Sequence, residues 1–411
     1  MLRTRPCLHP LKSWKRNPTL YPKQSTHPLS TSSLSIPLLS TLPTPLIPPL
    51  IFLTLLISLW TWKCLWIIIL QDKLLYLSWL PPFSRSDRID EYQGECRGVT
   101  WVEKTIRSGD GTKLVVCEGE VDSVPTRKSI GSAEVGKMTK RTRKRTRKRV
   151  VVAYFQGNGG STPMRLPLLS GVLRGIQEVE DTDVEYILAA LSYRGYWKSS
   201  GRATQRGIEL DAQSFLSWVR ETYAAPDTDL SVVLWGHSLG AAVASSAVAK
   251  ALSEGSAKSM ITGGGKDRES TTLPITGLVL EAPISSIKDM LISLYPQKWL
   301  PYRYLWPFSW NKWDVEASLR EMAGYKAAAN GGSDNGAVTS RDSSIPPIFL
   351  MSAEADEVIP LWVADRLEDT ARSSGLEIQR LNVKGAMHIE GPLKVEGRRT
   401  LIDFIRRNGS R

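Results

Sequence analysis

The sequence predicts an α/β protein: an open, mostly parallel sheet of about eight strands with helices on both faces and a small aromatic cap, preceded by one transmembrane helix. Three observations predict it. Short β-branched runs bounded by Gly, Pro or Asp alternate with stretches of helical period, as buried parallel strands and their crossover helices do. The first two strand candidates follow each other with no helix between them. Ahead of both lies an apolar run of 21 residues, Leu50 to Leu70.

Strands are expected at Val99 to Arg107, Lys113 to Val121, Val150 to Phe155, Val184 to Leu191, Ser231 to Trp235, Thr276 to Leu280, Ile348 to Ser352 and Leu376 to Val383. Helical patterns fall near Pro163 to Glu178, Thr204 to Tyr223, Leu239 to Ser253, Leu361 to Ser373 and Lys394 to Arg407. Three stretches break the alternation and read as loop insertions: Asp122 to Arg149, Gly255 to Leu273 and Ala327 to Ser344. They are rich in Gly, Ser and charge, and a rigid scaffold tolerates such loops at small entropic cost.

Residues 1–49 are rich in Pro, Ser and Thr and free of acids, so a disordered basic tail is expected, with some likeness to an organelle transit peptide. Leu50 to Leu70 would measure about 31 Å as a helix, enough for a hydrocarbon core of ~30 Å. Lys63 costs about 3 kcal/mol at the centre of such a span, whereas thirteen Leu, Ile and Phe return roughly 6, and its long stem can snorkel. Insertion wins. The α/β domain then occupies residues 71–411.

The formal charge of +12 sits in appendages. Of the 53 bases, six precede Leu50 and eight lie between Lys140 and Arg149, which leaves 39 against 41 acids. No folded basic face of the kind that reads nucleic acid remains. The Lys140 to Arg149 block reads as a solvated charge run, with contact to anionic lipid headgroups as its functional alternative. The four cysteines, Cys7, Cys64, Cys96 and Cys117, form no C-x-x-C pair and have no neighbouring His, so neither a zinc site nor a disulfide framework is expected. Cys96 and Cys117 flank adjacent strands and are either free thiols or a pair.

The chemistry concentrates at Gly236-His237-Ser238-Leu239-Gly240, which a β-branched strand enters and a helix of small residues leaves. This is G-x-S-x-G in its required strand-turn-helix setting, with the serine oxygen exposed at a helix N-terminus. A serine hydroxyl needs a base, and the sequence offers four His. His9 and His27 lie in the tail, and His237 diverges from the serine oxygen, so His388 is the base. A carboxylate must orient it. Three acids, Glu354, Asp356 and Glu357, compete at the turn after the apolar strand Ile348 to Ser352. Two N–H donors must meet a tetrahedral oxyanion. The Leu239 backbone follows from the elbow, and the loop Gln156-Gly157-Asn158-Gly159-Gly160 supplies Asn158 N–H as the other. No metal and no cofactor is called for.

In this arrangement the chain resembles the membrane-anchored α/β-hydrolases of the bud-emergence (Bem) type, relatives of the lysophosphatidylserine lipases and protein depalmitoylases. The likeness runs from about Leu65 to Arg406 outside the insertions. It rests on Gln71 to Tyr76, Tyr154 to Gly159, Ser192-Tyr-Arg-Gly-Tyr196, Lys198-Ser-Ser-Gly201, Gly236 to Gly240, Asp356 to Pro360 and His388, all in order. The resemblance implies Asp356 as the orienting acid, because it stands directly before Glu-Val-Ile-Pro, and leaves Glu354 and Glu357 as solvated charges. It also implies acyl-ester or thioester hydrolysis of lipophilic substrates through an acyl-serine. A membrane location is expected, the endoplasmic reticulum or another endomembrane before a mitochondrial one. Two departures stand out. Gln156 replaces the usual His, leaving the backbone donor intact, and Trp197 replaces a Gly, which would narrow the site. The competing class is a catalytically silent membrane scaffold on the same fold, which has no physical need for a triad and an oxyanion loop.

Between Tyr295 and Trp313 stand eight aromatics in 19 residues, interrupted by prolines. They would either bury themselves as the core of a cap or line an apolar acyl channel and dip into the membrane interface.

Overall fold

The computed structural model describes residues 43–122, 147–177, 184–261, 273–331 and 345–410. The tail before residue 43, residues 140–146 of the basic block and most of the three insertions lie outside the described residues. The chain forms two compact units, Met1–Ser58 and Leu59–Arg411. A 3-10 turn, Thr44–Leu46, leads into helix α1, Ile47–Ile69, which begins in the first unit and ends in the second. Pro48 and Pro49 fall in its first turn, where a missing N–H is harmless. The most apolar stretch of the continuous helix Thr44–Ile69 has a mean hydropathy of 1.9 and none of it is buried against protein, which makes the helix a candidate membrane span.

In the larger unit two short helices, α2 (Gln71–Leu75) and α3 (Ile89–Gln93), precede strands β1 (Val99–Arg107), β2 (Lys113–Val121) and β3 (Arg147–Phe155). Then follow α4 (Leu166–Gln177), β4 (Val184–Ser192), α5 (Gln205–Tyr223), β5 (Thr228–His237), α6 (Leu239–Ile261) and β6 (Ile275–Glu281). The remainder is α7 (Ile287–Leu294), α8 (Val315–Gly331), β7 (Ile348–Ala353), α9 (Leu361–Ser373), β8 (Ile378–Val383) and α10 (Val395–Gly409).

All eight strands join one sheet in the order β1-β2-β4-β3-β5-β6-β7-β8. β2 is antiparallel to both β1 and β4, and every other pair is parallel. The central strands are apolar on both faces because both are covered. In β3, Val151, Ala153 and Phe155 join one core with residues of α5, α6, α8 and α9, and Val150, Val152 and Tyr154 join another with residues of α4 and α10. The register sets the site. Phe155 at the end of β3 lies opposite Gly236 of β5, His237 lies opposite Glu281 of β6, and Ala353 of β7 lies opposite Val383 of β8. The loops that follow these strands therefore gather at one edge, where ligands bind in open α/β sheets.

Three element ends differ from the sequence reading. Arg147, Lys148 and Arg149, taken as the end of an insertion, open β3 instead, with Arg149 paired to Glu185 at 2.9 Å. A run of like charges looks like a loop, yet at the exposed end of a strand a base can find an acid on the neighbouring strand, as Arg149 does. Helix α6 continues to Ile261, and α8 runs to Gly331.

The aromatic segment divides between its two expected roles. Tyr302 and Trp313 are buried, whereas Trp299, Tyr304, Phe308 and Trp310 are more than half exposed. Two 3-10 turns, Pro301–Tyr304 and Trp306–Phe308, carry it between α7 and α8. Lys63 of α1 finds a partner there: its ammonium lies 4.3 Å from the centre of the Tyr302 ring, and Trp60 meets Trp299 with ring centres 6.0 Å apart. The segment after α1 is built into the domain. The Asp72 carboxylate accepts from Trp310 Nε1 at 3.0 Å and Asn311 Nδ2 at 2.8 Å. Tyr76 donates its hydroxyl to Asn311 Oδ1 and accepts from Trp313 Nε1, both at 2.8 Å.

Candidate active site

Ser238 occupies the turn between β5 and α6 with φ +53°, a left-handed conformation that costs an ordinary residue about 1 to 3 kcal/mol. The strain falls on the serine itself, while Gly236 and Gly240 serve close approach. A Cβ on Gly236 would stand 2.2 Å from the Gly240 carbonyl oxygen, and one on Gly240 would stand 2.0 Å from the Phe155 carbonyl oxygen. The second contact seats the N-terminus of α6 directly on the loop after β3. Ser238 N–H donates to the Glu281 carbonyl at 2.8 Å, which fixes the elbow to β6.

His388 and Asp356 meet. Nδ1 of His388 lies 2.9 and 3.0 Å from the two Asp356 oxygens, and both side chains are largely buried. Asp356 Oδ1 also accepts from the backbone N–H groups of Val358 at 2.8 Å and Ile359 at 2.7 Å. Burial works against its charge, but the His388 ring and these two donors outweigh it and hold the carboxyl below its ordinary value. An ionised Asp356 accepts from Nδ1–H, which leaves Nε2 bare. No hydrogen bond joins Ser238 Oγ to His388 among the described residues; such bonds commonly tighten only with substrate in place. The Asn158 and Leu239 N–H groups, the two predicted oxyanion donors, are likewise uncommitted among the described hydrogen bonds.

The Asn158 side chain staples its loop to the segment after α2. It donates to the Leu75 carbonyl and accepts from Leu77 N–H and from the Tyr196 hydroxyl, both at 2.9 Å. Gly160 N–H adds a bond to the Leu80 carbonyl at 2.5 Å.

No protein-family model matches the chain. It is 25% identical over 212 residues to protein bem46 of Schizosaccharomyces pombe, covering 52% of this chain and 53% of that protein. It is 28% identical over 230 residues to the lysophosphatidylserine lipase ABHD12 of Rattus norvegicus, covering 54% of this chain and 46% of that one. The chain thus spans about half the length of the curated relatives it matches. An α/β-hydrolase from Vibrio vulnificus superimposes with a TM-score of 0.52 at 14% identity, over 81% of this chain and 92% of that one. The chain is related to the Bem-type α/β-hydrolases.

Within this α/β-hydrolase fold, the Ser192 to Tyr196 motif supports the loop after β3 from below. Tyr193 donates its hydroxyl to the Gln156 carbonyl at 2.9 Å, and Tyr196 reaches Asn158. Arg194 is locked by the fully buried Asp211, with Nη2 2.7 Å from Oδ1. Gln156, in place of the usual His, is buried and accepts from Thr162 Oγ1 at 2.7 Å. Trp197 adopts a positive φ, +41°, and its ring enters the core cluster that also holds Trp101 and Val115, donating to the Asp87 carbonyl at 2.8 Å. The ring is spent on packing, and the expected narrowing of the site finds no support there.

Glu354 and Glu357 are more than solvated charges. Glu357 accepts from His388 N–H at 3.0 Å, and Glu354 accepts from Gly385 N–H at 2.9 Å, so all three acids of the turn grip the loop that carries the histidine. Beneath the elbow lies a buried polar group that the motifs of the sequence do not announce. His237 Nε2 bonds the His388 carbonyl at 3.3 Å, and Glu281 accepts from Trp235 Nε1 at 2.8 Å. Arg165 Nη2 lies 3.7 Å from Glu281. An acid ending the otherwise apolar strand Thr276 to Leu280 was the available signal. Cys96 and Cys117 are free and buried.

Proposed function

We propose that the chain is a membrane-anchored serine hydrolase of an endomembrane, which cleaves acyl esters or thioesters of lipophilic substrates through an acyl-serine. One observation carries the reading: a strained serine at a helix N-terminus and a histidine held by a carboxylate stand on neighbouring loops at the same sheet edge. In this mechanism bare Nε2 of His388 takes the Ser238 proton as Oγ attacks the acyl carbonyl. Asn158 and Leu239 N–H receive the oxyanion, the alcohol or thiol leaves with the proton from His388, and water repeats the sequence to free the acid. Asp356 keeps the imidazole in the tautomer that can accept and stabilises its charge. The relatives named lysophosphatidylserine lipases support an ester of a single-chain phospholipid as substrate, and the exposed Trp299, Trp306, Phe308 and Trp310 support a lipid-facing entrance.

The test is fluorophosphonate labelling with a chain-length series of nitrophenyl esters. Ser238→Ala should abolish labelling and turnover without loss of fold; labelling that persists in the purified variant removes the nucleophile. Wild-type activity should rise from acetate to medium and long chains. Joint replacement of Trp299, Trp306 and Trp310 by Ser should erase that preference while sparing acetate. A wild type that prefers acetate removes the lipophilic substrate and leaves the hydrolase.

A further inference from the structure

We infer that His237 and Glu281 are positioning residues that lock the loop bearing His388 onto the nucleophile elbow, an inference that rests on the serine-hydrolase reading. The two groups that must exchange a proton come from distant parts of the chain, Ser238 after β5 and His388 after β8. A displacement of 1 Å between them can cost about 100-fold in rate. His237 is the residue next to Ser238, and its ring packs beside that of the base. Nε2 reaches the backbone carbonyl of His388 at 3.3 Å, with the two imidazole centres 5.0 Å apart.

A carbonyl can only accept, so Nε2 carries the proton and Nδ1 is bare. Burial, with Arg165 and His388 nearby, holds the ring well below its ordinary pKa and therefore neutral. That suits its place, since a second positive charge there would oppose the proton that His388 must accept. The bare Nδ1 faces Gly157, where any Cβ would come within 2.5 Å of it. The loop that offers Asn158 N–H is thus shaped to admit this ring.

Glu281 completes the clamp from β6. Its carbonyl holds Ser238 N–H at 2.8 Å, and its carboxylate takes Trp235 Nε1 at 2.8 Å. The same carboxylate faces His237 Nε2 at 3.9 Å and Arg165 Nη2 at 3.7 Å. Burying an acid and an arginine costs several kcal/mol per ion, and apolar replacements of such pairs are often more stable. Stability alone gives no reason for an acid here, whereas its approach to the ring that holds the histidine's carbonyl does.

The test uses the full chain in detergent with nitrophenyl butyrate, rates being expressed per site titrated by prolonged fluorophosphonate treatment. His237→Leu should lower kcat by about 30- to 100-fold with KM within about twofold. His237→Gln, whose amide can donate to the same carbonyl, should recover to within about fivefold of wild type. Glu281→Gln, which keeps an acceptor for Trp235, should lower kcat by about three- to tenfold and covers the case in which the leucine variant does not fold. A purely structural role would lower the melting temperature and the number of titratable sites but leave kcat per site unchanged. Leucine and glutamine variants of equal kcat, or a glutamine at 281 with wild-type kcat, overturn the inference. A wild type that never reacts with the fluorophosphonate overturns the hydrolase reading beneath it.

Discussion

Asn158→Ala separates the two jobs assigned to that residue, because it keeps the backbone N–H and removes the staple. Three hydrogen bonds go: those to the Leu75 carbonyl, Leu77 N–H and the Tyr196 hydroxyl. All three are at least partly open to water, so each should contribute near the low end of the ~0.5 to 1.5 kcal/mol range, about 2 kcal/mol in all. Released by that amount, the loop would hold its N–H on the oxyanion about 30-fold less of the time. The ceiling is the ~10²- to 10³-fold worth of one oxyanion donor. The expected result on nitrophenyl butyrate is a kcat lower by about 30-fold, a KM little changed, and a melting temperature lower by about 5 °C. Asn158→Asp should be worse in kcat, since it loses the donor to Leu75 and sets a negative charge beside the developing oxyanion. An alanine variant with kcat within twofold of wild type would refute the staple.

His388→Ala should abolish turnover almost as fully as loss of the serine, and Asp356→Asn somewhat less, with no additivity between them, as steady-state kinetics of the singles and the double would reveal. Arg194→Met leaves the buried Asp211 carboxylate unpaired and should cost about 3 to 5 kcal/mol in urea unfolding. Burial pushes the Glu281 carboxyl from 4.5 up to about 6, against the opposing effects of Arg165 and the Trp235 N–H. A carboxyl with a raised folded pKa favours the fold below its unfolded value and loses that contribution as pH rises through the folded one. Stability of the wild type relative to Glu281→Gln should therefore decline by about 2 kcal/mol in all, most of it between pH 4.5 and 6. Asp356 has the opposite sign: its depressed pKa adds stability above its ordinary value of 3.8, lost as pH falls below it, outside the Glu281 window.

The sheet was legible because a strand buried on both faces needs an unbroken apolar run, and runs such as Val150 to Phe155 have no other use. Ser238 was legible because its turn tolerates so few residues around it, and His388 because so few histidines compete. What stayed hidden depends on neighbours brought from elsewhere in the chain. Glu354 and Glu357 look like surface charge until β7 and β8 pair and bring the Gly385 and His388 amides within reach. Helix α8 went unassigned because its hydrophobic period is weak and its last turns merge into a Gly- and Ala-rich stretch, so that Val315, Leu319 and Met322 are recognisable as one face only against α6. The basic run resembled a loop because charge reveals exposure and not backbone conformation, which is why Arg147 to Arg149 were missed as strand.

The three bonds between residues 75–80 and the loop after β3 bear on where a protease could cut. Cleavage ahead of Gln71 would shed a domain that keeps Leu75, Leu77 and Leu80 in place around Asn158 and Gly160, and so keeps its oxyanion loop. Cleavage near Ser84, only a dozen residues further on, would shed one that has lost those partners together with Asp72 and Tyr76. On the proposed function, with α1 as the anchor, the first product would be a mobile hydrolase and the second an idle one, so the position of a single nick would decide whether release from the bilayer spreads the activity or ends it.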